Sequence, residues 1–319
     1  FIDQVIFFMK KFEKGLIIGP SGIGEAHLRE FIKYGIKNIG IIRKDSNKNQ
    51  LITNKILKKK NIKFNFLSSF KDIKKFKPDI ISLCTPHYSH IKHLKIISGQ
   101  FSGPIIVEKP FIINKNANYP QLQKISNSLY QKFKNKIIVN LPMLEVANQL
   151  KKKVKNKKIL SINFFYSTKG RHEYEQIIID LLPHAISLVL SIINQELSKF
   201  EIIKQKLGKK YFRINILLND VKCFFYFKEN IKSKSSSLLF EIDNQKFERI
   251  ILKDNKEDQV YFKINGKNHK IKNPMSASLS KSIKTLNKNK LNELNKKVIN
   301  SITKITCHIL NNLTKSSRN

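Results

Sequence analysis

Two short stretches carry residues whose types and spacing suit proton transfer. Asp180 and His184 stand four residues apart within the apolar run 177–193, so on a helix they share one face and can meet one ligand together. Leaving either group buried without a partner would cost about 1–3 kcal/mol, which argues for a role beyond packing. Lys109 stands between Glu108 and Pro110, just after the apolar run 104–107. The carboxyl end of a parallel strand is the edge where doubly wound sheets bind their ligands. A partly desolvated ammonium at such an edge can exchange protons.

A third stretch suits phosphate. Gly19-Pro20-Ser21-Gly22-Ile23-Gly24 follows a short apolar strand pattern over 15–19 and precedes helical spacing over 23–34. A Gly-rich turn in that place lets backbone N–H groups and a helix N-terminus face a pyrophosphate. The usual spacing is G-x-G-x-x-G; here Ser21 holds the middle position and Gly22 is an additional glycine. Cofactor contacts are expected from Gly19, Ser21, Gly22, Ile23 and Gly24. About twenty residues on, the second strand ends in Arg43-Lys44-Asp45. Basic side chains there accept the 2′-phosphate of NADP, while an acidic one binds the ribose hydroxyls of NAD. Arg43 and Lys44 tip the balance to NADP, and Asp45 keeps NAD open.

The elements needed to position these residues follow from the hydrophobic pattern. Short apolar runs over 15–19, 36–42, 61–67, 80–84, 104–107 and 137–140 alternate with helical spacing over 23–34, 51–60, 88–97 and 119–133. Such alternation implies βαβ units and a parallel sheet buried on both faces. After residue 142 the texture changes. Helical spacing over 143–153, a strand over 159–166 and the apolar helix 176–193 lead into six strands between 202 and 264, with turn signals at Asn219-Asp220, Asp243-Asn244 and Asn265-Gly266. That pattern predicts an antiparallel sheet, and helical spacing over 279–313 closes the chain. The fold class expected is α/β: a Rossmann-type doubly wound parallel sheet over 1–142, then an α+β domain with an open, mostly antiparallel sheet over 143–319, its terminal helices packing back on the first domain.

Further residues carry a resemblance. Pro78-Asp79 introduces a strand ending in Thr85-Pro86, with His87 and His90 following, and the next strand ends in Glu108-Lys109-Pro110. Together with Gly24…His27 and Asp180-x-x-x-His184, these motifs resemble the Gfo/Idh/MocA family of dehydrogenases, in register over essentially the whole chain. The resemblance implies an NAD(P)-dependent oxidoreductase acting on a secondary alcohol or ketone of a sugar or sugar nucleotide, assembled as a homo-oligomer through its open sheet face. It adds Thr85, Pro86, His90, Glu108 and Lys109 to the cofactor contacts. It also implies that His184 takes the proton of a substrate hydroxyl held by Lys109 and Asp180, though which of Lys109 and His184 is the acceptor stays open. Three departures stand out: Ser21 at a glycine position, Leu182-Pro183 before His184, and no Arg in 140–145. Tyr166, Lys169 and Arg171, read as lying in the loop before the apolar helix, are the candidate substitutes for the missing substrate contact. Reduction of a non-sugar carbonyl or C=N compound, and a cofactor-binding homologue without turnover, are the alternatives.

Composition bounds the partners. The 319 residues carry a formal charge of +38, yet only six of the 61 basic residues are arginine and 55 are lysine. Arginine is the better fork for phosphate and guanine, and the joint excess of Lys, Ile, Asn and Phe reads as coding bias. No nucleic-acid partner is expected. An apolar fraction of 41% excludes a disordered polycation. Cys84, Cys223 and Cys307 are scattered, which suits a reducing, cytoplasmic compartment. Phe1 to Phe8 is short, carries Asp3 and lacks a basic leader, so no secretory signal is expected, and the run 177–193 is short for a bilayer and interrupted by Asp180, Pro183 and His184. No metal is expected, because His87, His90 and His93 lack Cys or carboxylate partners at zinc spacing.

Overall fold

The computed structural model describes residues 12–43, 62–114, 116–155, 158–232, 236–253, 258–288 and 293–316. Lys44, Asp45 and the helix expected over 51–60 lie outside the described residues. Six strands, β1 (Lys14–Ile18), β2 (Asn38–Ile42), β3 (Lys63–Leu67), β4 (Ile80–Leu83), β5 (Ile105–Glu108) and β6 (Ile137–Asn140), form one parallel sheet in the order β3-β2-β1-β4-β5-β6. Runs such as Leu16-Ile17-Ile18 and Ile105-Ile106-Val107 are buried throughout, as β-branched strands covered on both faces must be. The edge strand β3 is the exception, and its Phe66 is 50% exposed. Between strands run α1 (Ile23–Tyr34), the single turn α2 (Ile73–Phe76), α3 (His90–Ser98) and α4 (Tyr119–Lys132). Gly35 ends α1 in the left-handed conformation, where a Cβ would be strained.

The second sheet contains β7 (Ser161–Thr168), β8 (Phe200–Gly208), β9 (Tyr211–Leu218), β10 (Val221–Glu229), β11 (Ser237–Ile242), β12 (Gln245–Leu252), β13 (Gln259–Ile264) and β14 (Lys267–Ile271), ordered β14-β13-β12-β11-β7-β10-β9-β8. Both central residues of the turns at Asn219-Asp220, Asp243-Asn244 and Asn265-Gly266 have positive φ, the geometry that matches the twist of two-residue hairpins. Two features depart from the expected pattern. β7 pairs parallel with β10, because a helix intervenes after β7 before the chain returns. β14 is an added edge strand whose polar Lys-Asn-His-Lys sequence gives no apolar alternation.

On one face of this sheet lies α6 (Glu175–Ile193), preceded by α5 (Pro142–Leu150), and α6 contacts α5, β7, β9 and β10. Beneath it Phe164, Phe212, Ile214, Phe225 and Phe227 are buried, each on the inward phase of its strand. Among the described residues α6 is the one helix long and apolar enough to cross a membrane, and 78% of its most apolar window is buried inside the protein. The helical spacing expected over 279–313 forms two helices, α7 (Pro274–Asn287) and α8 (Glu293–Ser316). All three cysteines are free and buried. The chain divides into two compact units: residues 1–111, 124–140 and 279–293, and residues 112–123, 141–278 and 294–319. Phe225→Ala, a fully buried ring on β10, is expected to lower the unfolding free energy by about 3–5 kcal/mol in denaturant titrations. Phe66→Ala on the exposed edge should cost below about 1 kcal/mol.

Candidate active site

In the first unit the strand order reverses between β1 and β4, the point where an open α/β sheet leaves a crevice at its carboxyl edge. Gly19 follows β1 and Cys84-Thr85-Pro86 follow β4. Gly19 has φ +83°, and a Cβ on it would stand 2.9 Å from the Cys84 carbonyl oxygen. A Cβ on Gly24, in the first turn of α1, would reach 2.1 Å from the Gly19 oxygen. These two glycines let the helix start against the strand end. Ser21, Gly22 and Ile23 are exposed, no side chain caps α1, and the space beside Gly22 is open. Such an uncapped N-terminus carries partial positive charge and suits a pyrophosphate. Ile42 pairs with Ile18, so Arg43 stands on the neighbouring strand at the same edge as Gly19. Lys44 is outside the described residues.

Beneath this edge lies a buried polar cluster. His27 of α1 is fully buried, with Nε2 2.6 Å from Oε1 of Glu108 and Nδ1 in a short contact with the Ser82 hydroxyl. Asn140 Nδ2 donates to the same Glu108 oxygen at 2.6 Å. Burial works against a charged His27, but contacts with Cys84 and Glu108 outweigh it and push the ring up to about 10. Burial likewise raises Glu108, and His27, Asn140 and Lys109 more than reverse this, so its carboxyl is held below the usual range. One ion pair therefore joins α1 and β5, with β4 and β6 tied in through Ser82 and Asn140. Lys109, half-buried, leaves β5 directly after Glu108 and precedes Pro110 through a cis peptide bond.

His90 plays a similar part. Its ring is buried, with Nε2 2.8 Å from the Thr85 carbonyl and Nδ1 2.9 Å from that of Pro110. Burial lowers its pKa, the carbonyl contacts opposing. The polar side-chain atoms of Glu108 and His90, both expected among the cofactor contacts, face inward and hold the segments that carry Thr85, Pro86, Lys109 and Pro110. The Thr85 hydroxyl lies 3.0 Å from His93 Nδ1 and accepts from Ser89 at 3.1 Å. His90 and His93 thus direct nitrogens at Thr85 rather than at a common point. His27, quoted only for its spacing, and Asn140 are the residues that sequence reasoning undervalued.

In the second unit, Asp180 and His184 are half-buried on α6. The His184 ring meets Tyr166 edge-on at 5.4 Å, and the Arg249 guanidinium stands 5.7 Å from the Tyr166 centroid. Tyr166 lies within β7 and not in the loop, while Lys169 and Arg171 are exposed in that loop. Asp180 Oδ2 is 3.6 Å from Nε2 of His172, a residue sequence reasoning missed. Glu229 was missed too. Its signal was present: Val221, Cys223, Phe225 and Phe227 are buried on alternate positions of β10, so the same phase carries Glu229 inward beneath the helix.

No family model matches the chain by sequence, and no curated protein matches it either. Solved structures do. A Gfo/Idh/MocA family oxidoreductase from Vibrio cholerae is similar over 96% of this chain and 99% of its own, with a TM-score of 0.69 at 12% identity. UDP-N-acetylglucosamine 3-dehydrogenase from Acidithiobacillus ferrooxidans covers 91% of this chain and 95% of its own, with a TM-score of 0.61 at 10% identity. Biliverdin reductase from Synechocystis, solved with biliverdin and NADP+, covers 93% and 98%, with a TM-score of 0.64 at 10% identity. The chain has the two-domain fold of the Gfo/Idh/MocA oxidoreductases.

The buried pair gives stability a defined pH course. His27 is raised from 6.5 to about 10, so its contribution is complete below pH 6.5 and is lost as pH rises through about 10. Glu108 is lowered from 4.5, so its contribution is present above pH 4.5 and is lost as pH falls below it. Glu108→Gln is expected to destabilise the protein by about 3–5 kcal/mol near pH 6. In denaturant titrations at rising pH, the gap between parent and variant should narrow toward pH 10; a constant gap contradicts the charged pair.

Proposed function

We propose that the chain is a nicotinamide-dependent oxidoreductase of the Gfo/Idh/MocA type, interconverting a secondary alcohol and a ketone on a sugar or sugar nucleotide. The observation that carries this reading is the meeting of three features on one sheet edge at the strand-order reversal: the Gly19–Gly24 turn, Thr85-Pro86 and Lys109. Bound there, the nicotinamide would accept or supply the hydride. The exposed turn and uncapped α1 would hold its pyrophosphate, and Arg43 the 2′-phosphate that favours NADP over NAD. Lys109 in the first unit, and Asp180 and His184 in the second, are each assigned a part in hydroxyl chemistry, as an orienting group or as the proton acceptor, the latter a contribution of about 10²–10⁴-fold. Tyr166 supports the His184 ring, and Arg171 is the loop cation available to an anionic substrate.

The same fold serves a biliverdin reductase, so the fold alone does not choose the substrate. A half-buried carboxylate and imidazole four residues apart on one helix favour a hydroxyl over a tetrapyrrole. A small anionic carbohydrate also suits the net charge, and a homo-oligomer formed through the open sheet face, in a cytoplasmic setting, completes the proposal. Lys109→Ala and His184→Ala are each expected to lower kcat at least 100-fold while the NADPH dissociation constant changes less than threefold. Near-normal turnover in both variants contradicts the assignment. Arg43→Ala should weaken NADPH more than NADH in binding titrations, and equal losses would remove the 2′-phosphate role.

A further inference from the structure

The loop after β7 brings a second set of groups together beside Asp180. His172 comes from that loop, Asp180 from the second turn of α6 and Glu229 from the last residue of β10, and one ligand atom from each lies within 4.8 Å of the other two. Glu229 is 2% exposed, and among the described residues neither of its carboxylate oxygens makes a well-formed hydrogen bond, although the Thr168 side chain favours its charged form. A buried carboxylate in that position needs a proton or a cation. Lys210 does not supply the charge directly: its Nζ is 2.8 Å from Glu173 and donates to the His172 carbonyl at 3.5 Å. The loop closes tightly over the carboxylate, since a Cβ on Gly170 would fall 1.5 Å from Glu229 Oε2.

We infer that His172, Asp180 and Glu229 form a binding site for one divalent transition-metal ion. One imidazole nitrogen with two carboxylate oxygens is a donor set for Zn²⁺ or Mn²⁺, less for Ca²⁺, which takes oxygen alone, or for Cu⁺, which prefers sulfur. The 3.6 Å between His172 Nε2 and Asp180 Oδ2 is close to the separation of about 3.3–3.6 Å that bonds of about 2.0–2.2 Å at tetrahedral angles require. Burial raises the Glu229 pKa and Asp180 adds to it, with Thr168, His172 and Lys210 opposing. The ion would tie the 169–174 loop to α6 and β10 and fix the carboxylate of Asp180.

The site shares Asp180 with the proposed hydroxyl chemistry, but metal binding can be measured without turnover, so the two readings fail separately. Chelator-treated full-length protein, titrated calorimetrically with Zn²⁺ and separately with Mn²⁺, is expected to take up one ion per chain with micromolar or tighter affinity. Co²⁺ should give visible d–d absorption characteristic of nitrogen and oxygen ligands. Glu229→Gln and His172→Gln should each weaken binding at least tenfold, with NADPH binding to the first unit unchanged. His172 is in a loop and 41% exposed at its side chain, so His172→Gln keeps the test valid if Glu229→Gln fails to fold. Failure of the parent to bind either ion stoichiometrically, or unchanged affinity in His172→Gln, overturns the site and leaves the oxidoreductase reading standing.

Discussion

The edge of the parallel sheet depends on the buried contact between His27 and Glu108. A carboxylate at 6% exposure beside a fully buried imidazole is stable only if each answers the other, since breaking such a pair leaves an uncompensated charge in a low-dielectric interior. The contact constrains more than two residues. His27 fixes α1, whose first turn forms the Gly-rich crossing. Glu108 fixes the end of β5, from which Lys109 emerges. Ser82 and Asn140 bring β4 and β6 into the same cluster. His90 repeats the principle with backbone carbonyls, pinning the segments after β4 and β5 to each other. Polar groups that never reach solvent thus hold in place the ones that do.

Much of the fold was legible because the strands are short and apolar throughout and the turns are chemically explicit. The run Ile105-Ile106-Val107 can only be a strand buried on both faces, and Asn265-Gly266 accepts the two positive φ values a tight hairpin demands. The parallel pairing of β7 with β10 was not legible. Pairing direction depends on how the chain returns after a helix, and local pattern carries no trace of that. β14 escaped because an edge strand of Lys, Asn and His has no apolar phase to read.

The site was legible in types more than in roles. Lys109, Asp180 and His184, the residues proposed for hydroxyl chemistry, stand out by position in the sequence. The inward orientation of the Glu108 and His90 side chains was not legible, because spacing along a strand does not tell whether a side chain faces ligand or core. His172 and Glu229 were missed because they meet Asp180 only in three dimensions, from a loop and from the far end of another strand. Only Glu229 left a trace, as an acid on the buried phase of β10. The charge of +38, the loudest number in the sequence, places no residue in either site, whereas six scarce arginines include Arg43 at the carboxyl edge.

The central claim is that this edge binds a nicotinamide dinucleotide. Its most direct test is titration of the full-length protein with NADPH and with NADH, following nicotinamide fluorescence and thermal stability together, since a ligand that binds only the folded state raises the melting temperature. The account predicts saturable binding of one cofactor per chain, NADPH more tightly than NADH, with a rise in melting temperature. No saturable binding of either cofactor, with the melting temperature unmoved at millimolar concentrations, would contradict it.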